Sequence, residues 1–287
     1  MNIVDASAQG GSTYFYKVFE KKSNFSFQPI VLNFDTTTKQ GDYFYATIPT
    51  QGRRILRMWL DLGSVPTSNL NTVDLLVDQV LVYSFPGEYI QIHNSLRTTA
   101  SKMLPRQVLI PIMKYLPVVQ NMQLRISVSG PAQSTDFKLF ADWIFDNLPV
   151  DGEYVITQVQ RLQAPTSNTG IRLNFYNVIK ELIVVPDQGQ ISSMTLLLND
   201  QKKFENTGDY FRYIQPMMYH TGNSLGVYLY SFSLFPEDEA PSGGLNFSRI
   251  NNQRLVVKGP NNVRVYALNY NVLKVKDGKA TVMFDNL

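Results

Sequence analysis

Residues 228–273 read YLYSFSLFPEDEAPSGGLNFSRINNQRLVVKGPNNVRVYALNYNVL. The alternation of aromatic and aliphatic residues at both ends marks strands. Between them, Pro236, Pro241, Gly243 and Gly244 break the chain around the acidic run Glu237-Asp238-Glu239. A second strand follows at Arg254–Val257, then a turn at Pro260-Asn261-Asn262, then a third strand at Val263–Val272. Nothing in this stretch pairs a nucleophile with a base or groups metal ligands, so it reads as architecture.

The same pattern extends outward. Strand-like runs occur at Tyr14–Phe19, Tyr43–Ile48, Ile55–Leu60, Val73–Val77, Met122–Val128, Phe137–Phe145, Tyr154–Val159, Ile171–Phe175, Ile179–Val185, Met194–Leu198 and Val227–Leu234. Each is rich in β-branched and aromatic residues and bounded by Gly, Pro, Asn or Ser. Asp277-Gly278 predicts a two-residue hairpin turn, since both residues tolerate positive φ. Short helices are expected at Gly87–Leu96, Thr99–Leu104 and Gly208–Gln215.

The chain repeats itself. Leu75-Leu76-Val77-Asp78-Gln79 with Gly87-Glu88-Tyr89-Ile90 is echoed 121 residues later by Leu196-Leu197-Leu198-Asn199-Asp200 with Gly208-Asp209-Tyr210-Phe211. Lys138-Leu139-Phe140-Ala141 is echoed by Arg264-Val265-Tyr266-Ala267 at an offset of 126. Two echoes in the same order at nearly one offset indicate an internal duplication. The Pro149-Val150 junction then divides the chain into 1–149 and 150–287. Each half has room for eight strands of about six residues with connections to spare. The expected fold is all-β: two tandem eight-stranded antiparallel jelly rolls with few short helices.

Composition narrows function by exclusion. The 287 residues contain no Cys, which removes disulfides, thiolate metal sites and thiol nucleophiles. His93 and His220 are the only histidines; far apart in sequence, they read as packing or hydrogen-bonding residues. Gly10-Gly11 and Gly243-Gly244 lack the Lys-Ser/Thr of a phosphate loop. The +3 net charge is not massed: Lys21-Lys22, Arg53-Arg54 and Lys202-Lys203 are scattered and read as solvated strand ends or loops. Trp59 and Trp143 read as core rather than stacking platforms. Asn24-Phe25-Ser26 and Asn246-Phe247-Ser248 fit the glycosylation pattern, but the first residues have no basic and apolar segments of a secretory signal. No catalytic residue, metal or cofactor is expected.

The opening block closely resembles the C-terminal block of the major capsid proteins of nucleocytoplasmic large DNA viruses. It carries that family's aromatic-Ser-Phe strand (Tyr230-Ser231-Phe232), Pro236-Glu237, Pro241-Ser242-Gly243, Asn246-Phe247-Ser248-Arg249-Ile250 and Val265–Val272, with Asn269-Tyr270-Asn271 inside it. Other segments resemble the family in order: Tyr16–Phe19 with Asn24-Phe25, Val73–Leu96, Ala141–Phe145, Glu153–Gln160, Asn174–Ile183, and Gly208-Asp209-Tyr210-Phe211 with Gln215-Pro216 and His220-Thr221. Two departures stand out. The region after Pro111 is abridged, and Gly244-Leu245 replaces the Thr-Cys of many relatives. The chain thus resembles a compact member.

The resemblance implies a structural, non-enzymatic protein. It would self-assemble into pseudo-hexagonal homotrimeric capsomers of an icosahedral virion shell, built in the host cytoplasm. Partners would be neighbouring capsomers and penton and minor capsid proteins, with an internal membrane possible beneath and no specific nucleic acid. The motif residues named above would act structurally or at interfaces. Two alternatives remain open: a minor capsid or scaffold protein of the same fold, and a carbohydrate-binding β-sandwich.

Overall fold

The structure, a computed structural model, describes residues 26–35, 43–97, 103–146, 148–222 and 226–284. The expected strand at Tyr14–Phe19, the Asn24-Phe25 segment, Lys21-Lys22 and most of the expected helix at Thr99–Leu104 lie outside these residues.

Four antiparallel sheets form two face-to-face pairs. In the first half, β1 (Ser26–Asn33), β9 (Lys138–Phe145), β3 (Arg54–Asp61) and β6 (Gln107–Ile110) form one sheet, with the short β7 (Leu116–Pro117) on β3. Facing it are β2 (Tyr43–Ile48), β8 (Met122–Val128), β4 (Leu70–Val77) and β5 (Val80–Pro86). The second half repeats this plan. β10 (Gly152–Pro165), β18 (Asn262–Lys276), β12 (Val178–Pro186) and β15 (Tyr228–Ser231) form one sheet, joined by β16 (Leu245–Asn246) and β19 (Lys279–Val282). β11 (Ile171–Arg172), β17 (Gln253–Lys258), β13 (Ser193–Leu198) and β14 (Gln201–Thr207) form its partner. This is the expected double jelly roll; among the described residues each roll shows two four-strand paths with short strands added to them.

The duplication holds at the level of backbone detail. β4–β5 and β13–β14 are both hairpins whose two turn residues have positive φ, Asp78 and Gln79 in one and Asn199 and Asp200 in the other. Each hairpin slips register one step from its turn, between Leu75 and Leu76 and between Leu196 and Leu197. A helix follows each: α1 (Gly87–Leu96) in the first roll, and a π-helical turn (Tyr210–Ile214) running into α2 (Gln215–Tyr219) in the second.

Differences from expectation have local causes. The strand expected over Ile171–Phe175 stops at Arg172, because Asn174 and Asn177 adopt left-handed φ. Val227–Leu234 narrows to β15 because the Ser231 hydroxyl bonds both the carbonyl and the amide of Ser233, curling the chain out of the sheet. The Asp277-Gly278 hairpin forms as read, with φ of 52° and 74°. β1 and β14 were not read as strands. Both are exposed edges, one carrying Pro29 and the other the charged QKKFENT, so neither shows an alternating apolar pattern.

The rolls share core. β10 and β18 pair over 14 residues, longer than one sandwich requires. Their far ends carry Ile156, Leu273 and Val275 into the same buried cluster as Ile55, Leu124 and Trp143 of the first roll. The second roll has a separate core around Leu182, Leu196, Phe211 and Phe247.

Candidate assembly site: the seam between the rolls

α1 lies against β18 of the second roll. Glu88, at its start, accepts from Arg264 Nε at 2.8 Å and Nη2 at 2.9 Å, and from the Tyr266 hydroxyl at 2.5 Å. This bidentate geometry is the strongest form of carboxylate–guanidinium pair. Tyr89 packs beside Tyr266 with ring centroids 6.0 Å apart. At the helix end, the Leu96 carbonyl accepts from Gly222 N at 2.7 Å, and Arg97 donates to the Glu237 carbonyl at 3.2 Å.

Further along the seam, the charged pair Lys180-Glu181 sits inside the apolar strand β12. A bulge between Ile179 and Glu181 lets both side chains be buried. Lys180 Nζ donates to the Pro236 carbonyl at 2.9 Å and lies 5.6 Å from the centre of the Tyr270 ring. Burial depresses its pKa to about 8. Glu181 accepts from His220 Nε2 at 2.7 Å, while His220 Nδ1 lies 3.3 Å from Glu237. Burial alone would depress the His220 pKa, but the two carboxylates outweigh it and raise it to about 9. Glu237 is pushed up by partial burial, yet bonds from His220 and Thr221 bring it below the usual carboxylate range. His93 is held neutral, with its pKa well below 6.5, by burial and then by the charge of Arg97. The two histidines thus meet at one seam, as hydrogen-bonding and packing residues.

The acidic loop has a defined contact. Glu237 holds Thr221 N at 2.9 Å, and Glu239 accepts from Lys114 N of the first roll at 2.5 Å. The loop connects β15 to β16 and also clamps the two rolls, through Glu239 on Lys114 N and the Glu237 carbonyl on Arg97. Its counterpart in the first roll, between β6 and β7, is the abridged stretch after Pro111. A cavity of about 370 Å³ lies under the clamp, bordered by Arg57, His93, Lys114, Thr157, Lys180 and Glu239.

The other motif residues are frame parts. Gly208 has no room for a side chain: a Cβ would come within 1.7 Å of the Ile191 carbonyl oxygen. Asp209 is exposed, and Phe211 is fully buried. Gln215 donates to the Tyr210 hydroxyl and accepts from Ser231 N, tying the helix to β15, with Pro216 buried beside it. Pro236 supplies the carbonyl for Lys180. Pro241 is exposed, and the Ser242 hydroxyl meets Ser233 Oγ at 2.6 Å and Phe235 N at 2.9 Å. Gly243, at φ 137°, faces the Phe232 carbonyl. Asn246 caps the 3-10 turn at Ser248, Phe247 fills the core, Ser248 Oγ accepts from Asn177 N, and Arg249 is exposed.

Asn269 and Asn271 are buried in a ladder of amides. Gln160 donates to Asn269 at 3.0 Å, and Asn271 donates to Gln158 at 2.7 Å. Gln158 in turn donates to the Val82 carbonyl of the first roll at 2.9 Å, and Gln160 exchanges two bonds with the backbone of Tyr176. Tyr270 holds the cation contact to Lys180 and lies with its hydroxyl 3.5 Å from Ser233 Oγ.

Some of these roles were not read from sequence: the pairing of Glu88 with Arg264, the amides of Gln158 and Gln160, and the burial of Lys180-Glu181. The adjacent charges inside VIKELIVVP were a usable signal, since such a pair within an apolar strand requires partners. One reading is corrected. Arg54 is not solvated but 7% exposed, bonded to Asp146 and the Pro149 carbonyl at 2.5 Å, which staples the connection between rolls. Trp143 is fully buried, so it offers nothing to a sugar, whereas Trp59, expected in the core, is half-buried and stacks on Phe140 at 5.3 Å. Among the described residues, no group of three or more His, Asp or Glu is arranged to hold a metal.

Comparison with known proteins agrees with this architecture. Residues 184–281 match the family described as large eukaryotic DNA virus major capsid protein. A major capsid protein of Pyramimonas orientalis virus is 32% identical over 174 residues, 48% of this chain and 44% of that protein. One of Phaeocystis pouchetii virus is 44% identical over 102 residues, 32% of this chain and 20% of that protein. These alignments thus span less than half of either relative. Among solved structures, the PBCV-1 VP54 crystal structure, fitted into a reconstruction of the virophage Sputnik, superposes with a TM-score of 0.77 at 19% identity, covering 96% of this chain and all of that one. The major capsid protein of bacteriophage PM2 superposes at 0.61 with 11% identity, over 90% and 99% of the two chains. Motif order, matched segment and fold converge: the chain has the double jelly-roll fold, and its residues 184–281 match the large eukaryotic DNA virus major capsid protein family.

Proposed function

We propose that this chain is a shell-building subunit, three copies of which form a pseudo-hexagonal capsomer of an icosahedral virion. The carrying observation is the duplication: one chain holds two copies of one roll, joined by a seam dense with core and ion pairs. Three such chains about a threefold axis present six similar rolls, and six similar lobes tile a surface. In this reading the units are 1–149 and 150–287, and the motif residues serve by setting loop paths and the seam rather than by chemistry. Neighbouring capsomers, pentons and minor capsid proteins would surround the capsomer, a membrane could underlie it, and assembly would take place in the host cytoplasm.

Mass measurement and negative-stain imaging of the purified full chain test this. Trimers with a hexagonal outline are expected. A monomer that persists across salt and concentration overturns the proposal.

A further inference from the structure

The internal repeat indicates which surface a second copy would cover. Inside the chain, α1 of the first roll sits on the outer face of the second roll, with Glu88 on Arg264 and Tyr89 beside Tyr266. Tyr266 is fully buried there. The 121-residue repeat makes Asp209 and Tyr210 the counterparts of Glu88 and Tyr89. It sets Ile214, Met217 and Met218 opposite His93, Leu96 and Arg97, to within the one residue that the π turn adds. The three first-roll residues line the seam, whereas Met217 is 72% exposed, Met218 59% and Ile214 41%.

The receiving face is also repeated and also uncovered. The 126-residue offset makes Lys138 and Phe140 of β9 the counterparts of Arg264 and Tyr266. Their registers agree: Phe140 lies between Val31 of β1 and Trp59 of β3, as Tyr266 lies between Arg161 of β10 and Ile183 of β12. Lys138 is exposed, Val31 is 50% exposed, and Trp59 and Phe140 are half-buried. Among the described residues, nothing plays the part for this face that α1 plays for Tyr266.

We propose that the 209–218 helix of one copy docks on the β1-β9-β3 face of the next copy, with Asp209 meeting Lys138 and the methionines meeting Phe140 and Trp59. This rests on the trimer reading and assigns its interface. The contact is heterologous, a helix on a sheet face, so it must either close into a ring or run on as a filament. A closed ring of six rolls, which is three chains, is the form that the trimer reading requires of this contact. Charge complements as in the internal pair, acid on the helix and base on the strand.

The absence of Cys makes the test clean. Asp209→Cys and Lys138→Cys variants are mixed and treated with a short bis-maleimide. Crosslinking between chains is expected in the mixture, and no efficient crosslinking in either variant alone. Asp209→Lys and Lys138→Asp should each shift trimer dissociation, read by mass photometry on dilution, to concentrations about ten-fold higher, and the double reversal should restore it. Met217→Glu, at an exposed position, should weaken the trimer while leaving the circular dichroism of the subunit unchanged. A stable trimer that gives no 138–209 crosslink and ignores these reversals overturns the interface while the trimer reading stands. A wild-type chain that is monomeric throughout overturns both.

Discussion

Gly87 and Gly208 stand 121 residues apart, and each is pressed against a carbonyl oxygen, Leu70 for one and Ile191 for the other, that are themselves 121 residues apart. A Cβ on either glycine would come within 1.8 Å or 1.7 Å of that oxygen. The contact recurs because the hairpin and helix around it are two copies of one unit.

Gly208→Ala should therefore unfold the second roll's helix junction. The obstacle is backbone, which cannot swing aside. A loss of about 3 kcal/mol or more is expected in urea melts. Gly189→Ala is the control: nothing lies within 4 Å of a Cβ there, and only its φ of 77° is strained, so about 1–2 kcal/mol is expected.

Gln253 holds the Asn246–Ile250 turn from within the core. Its Nε2 donates to the carbonyls of Phe175, Phe247 and Ile250, and its Oε1 accepts from Phe175 N. Gln253→Leu leaves these groups buried and unpaired, at about 1–3 kcal/mol each for those that find no water. Gln253→Glu should be no better, because three facing carbonyls need a donor. Comparable melting points for the two variants are expected; a Glu variant near wild type would contradict the assignment.

Stability should peak near pH 6.5. The folded pKa of His220 is raised from 6.5 to about 9, so its contribution is complete below 6.5 and lost as pH climbs to 9. Lys180, lowered from 10.5 to about 8, acts oppositely, adding stability as pH rises from 8. The net decline should therefore be steepest between 6.5 and 8. On the acid side, His93 is lowered, so stability falls as pH drops below 6.5. In His220→Gln the alkaline limb should flatten in denaturation curves taken across this range.

The Glu88–Arg264 pair is partly exposed, which moderates its worth. Its bidentate geometry and the Tyr266 bond raise it above an ordinary surface pair. A double-mutant cycle of Glu88→Ala and Arg264→Ala should give a coupling of about 1 kcal/mol. Hydrogen exchange should quicken in 87–96 and not in β13–β14. Uniform quickening across both rolls would argue against a local clamp.

Much of the frame was legible. Tyr43–Ile48 and Met122–Val128 are strands with the bounds read from alternation alone, and Gly87–Leu96 is the expected helix. Apolar periodicity and turn residues are local properties, and these elements bury one face each. β1 and β14 escaped because an edge strand needs no such pattern. The family-motif residues were legible as a set, but their jobs were not. Asn269 and Asn271 became comprehensible only once Gln160 and Gln158 were found across the β10–β18 register, over a hundred residues away.

By itself, then, the sequence determined the class of fold, its duplication and its family resemblance, because strand periodicity, turn chemistry and repeated words are written locally. Only the tertiary structure decided that the Glu237–Glu239 loop clamps one roll to the other and that His220 lies between two carboxylates. It alone also showed that equivalent helices, at Gly87 and Gly208, are covered in one roll and bare in the other. Burial and ion pairing depend on which distant surfaces meet, and that is a property of the folded chain rather than of any segment.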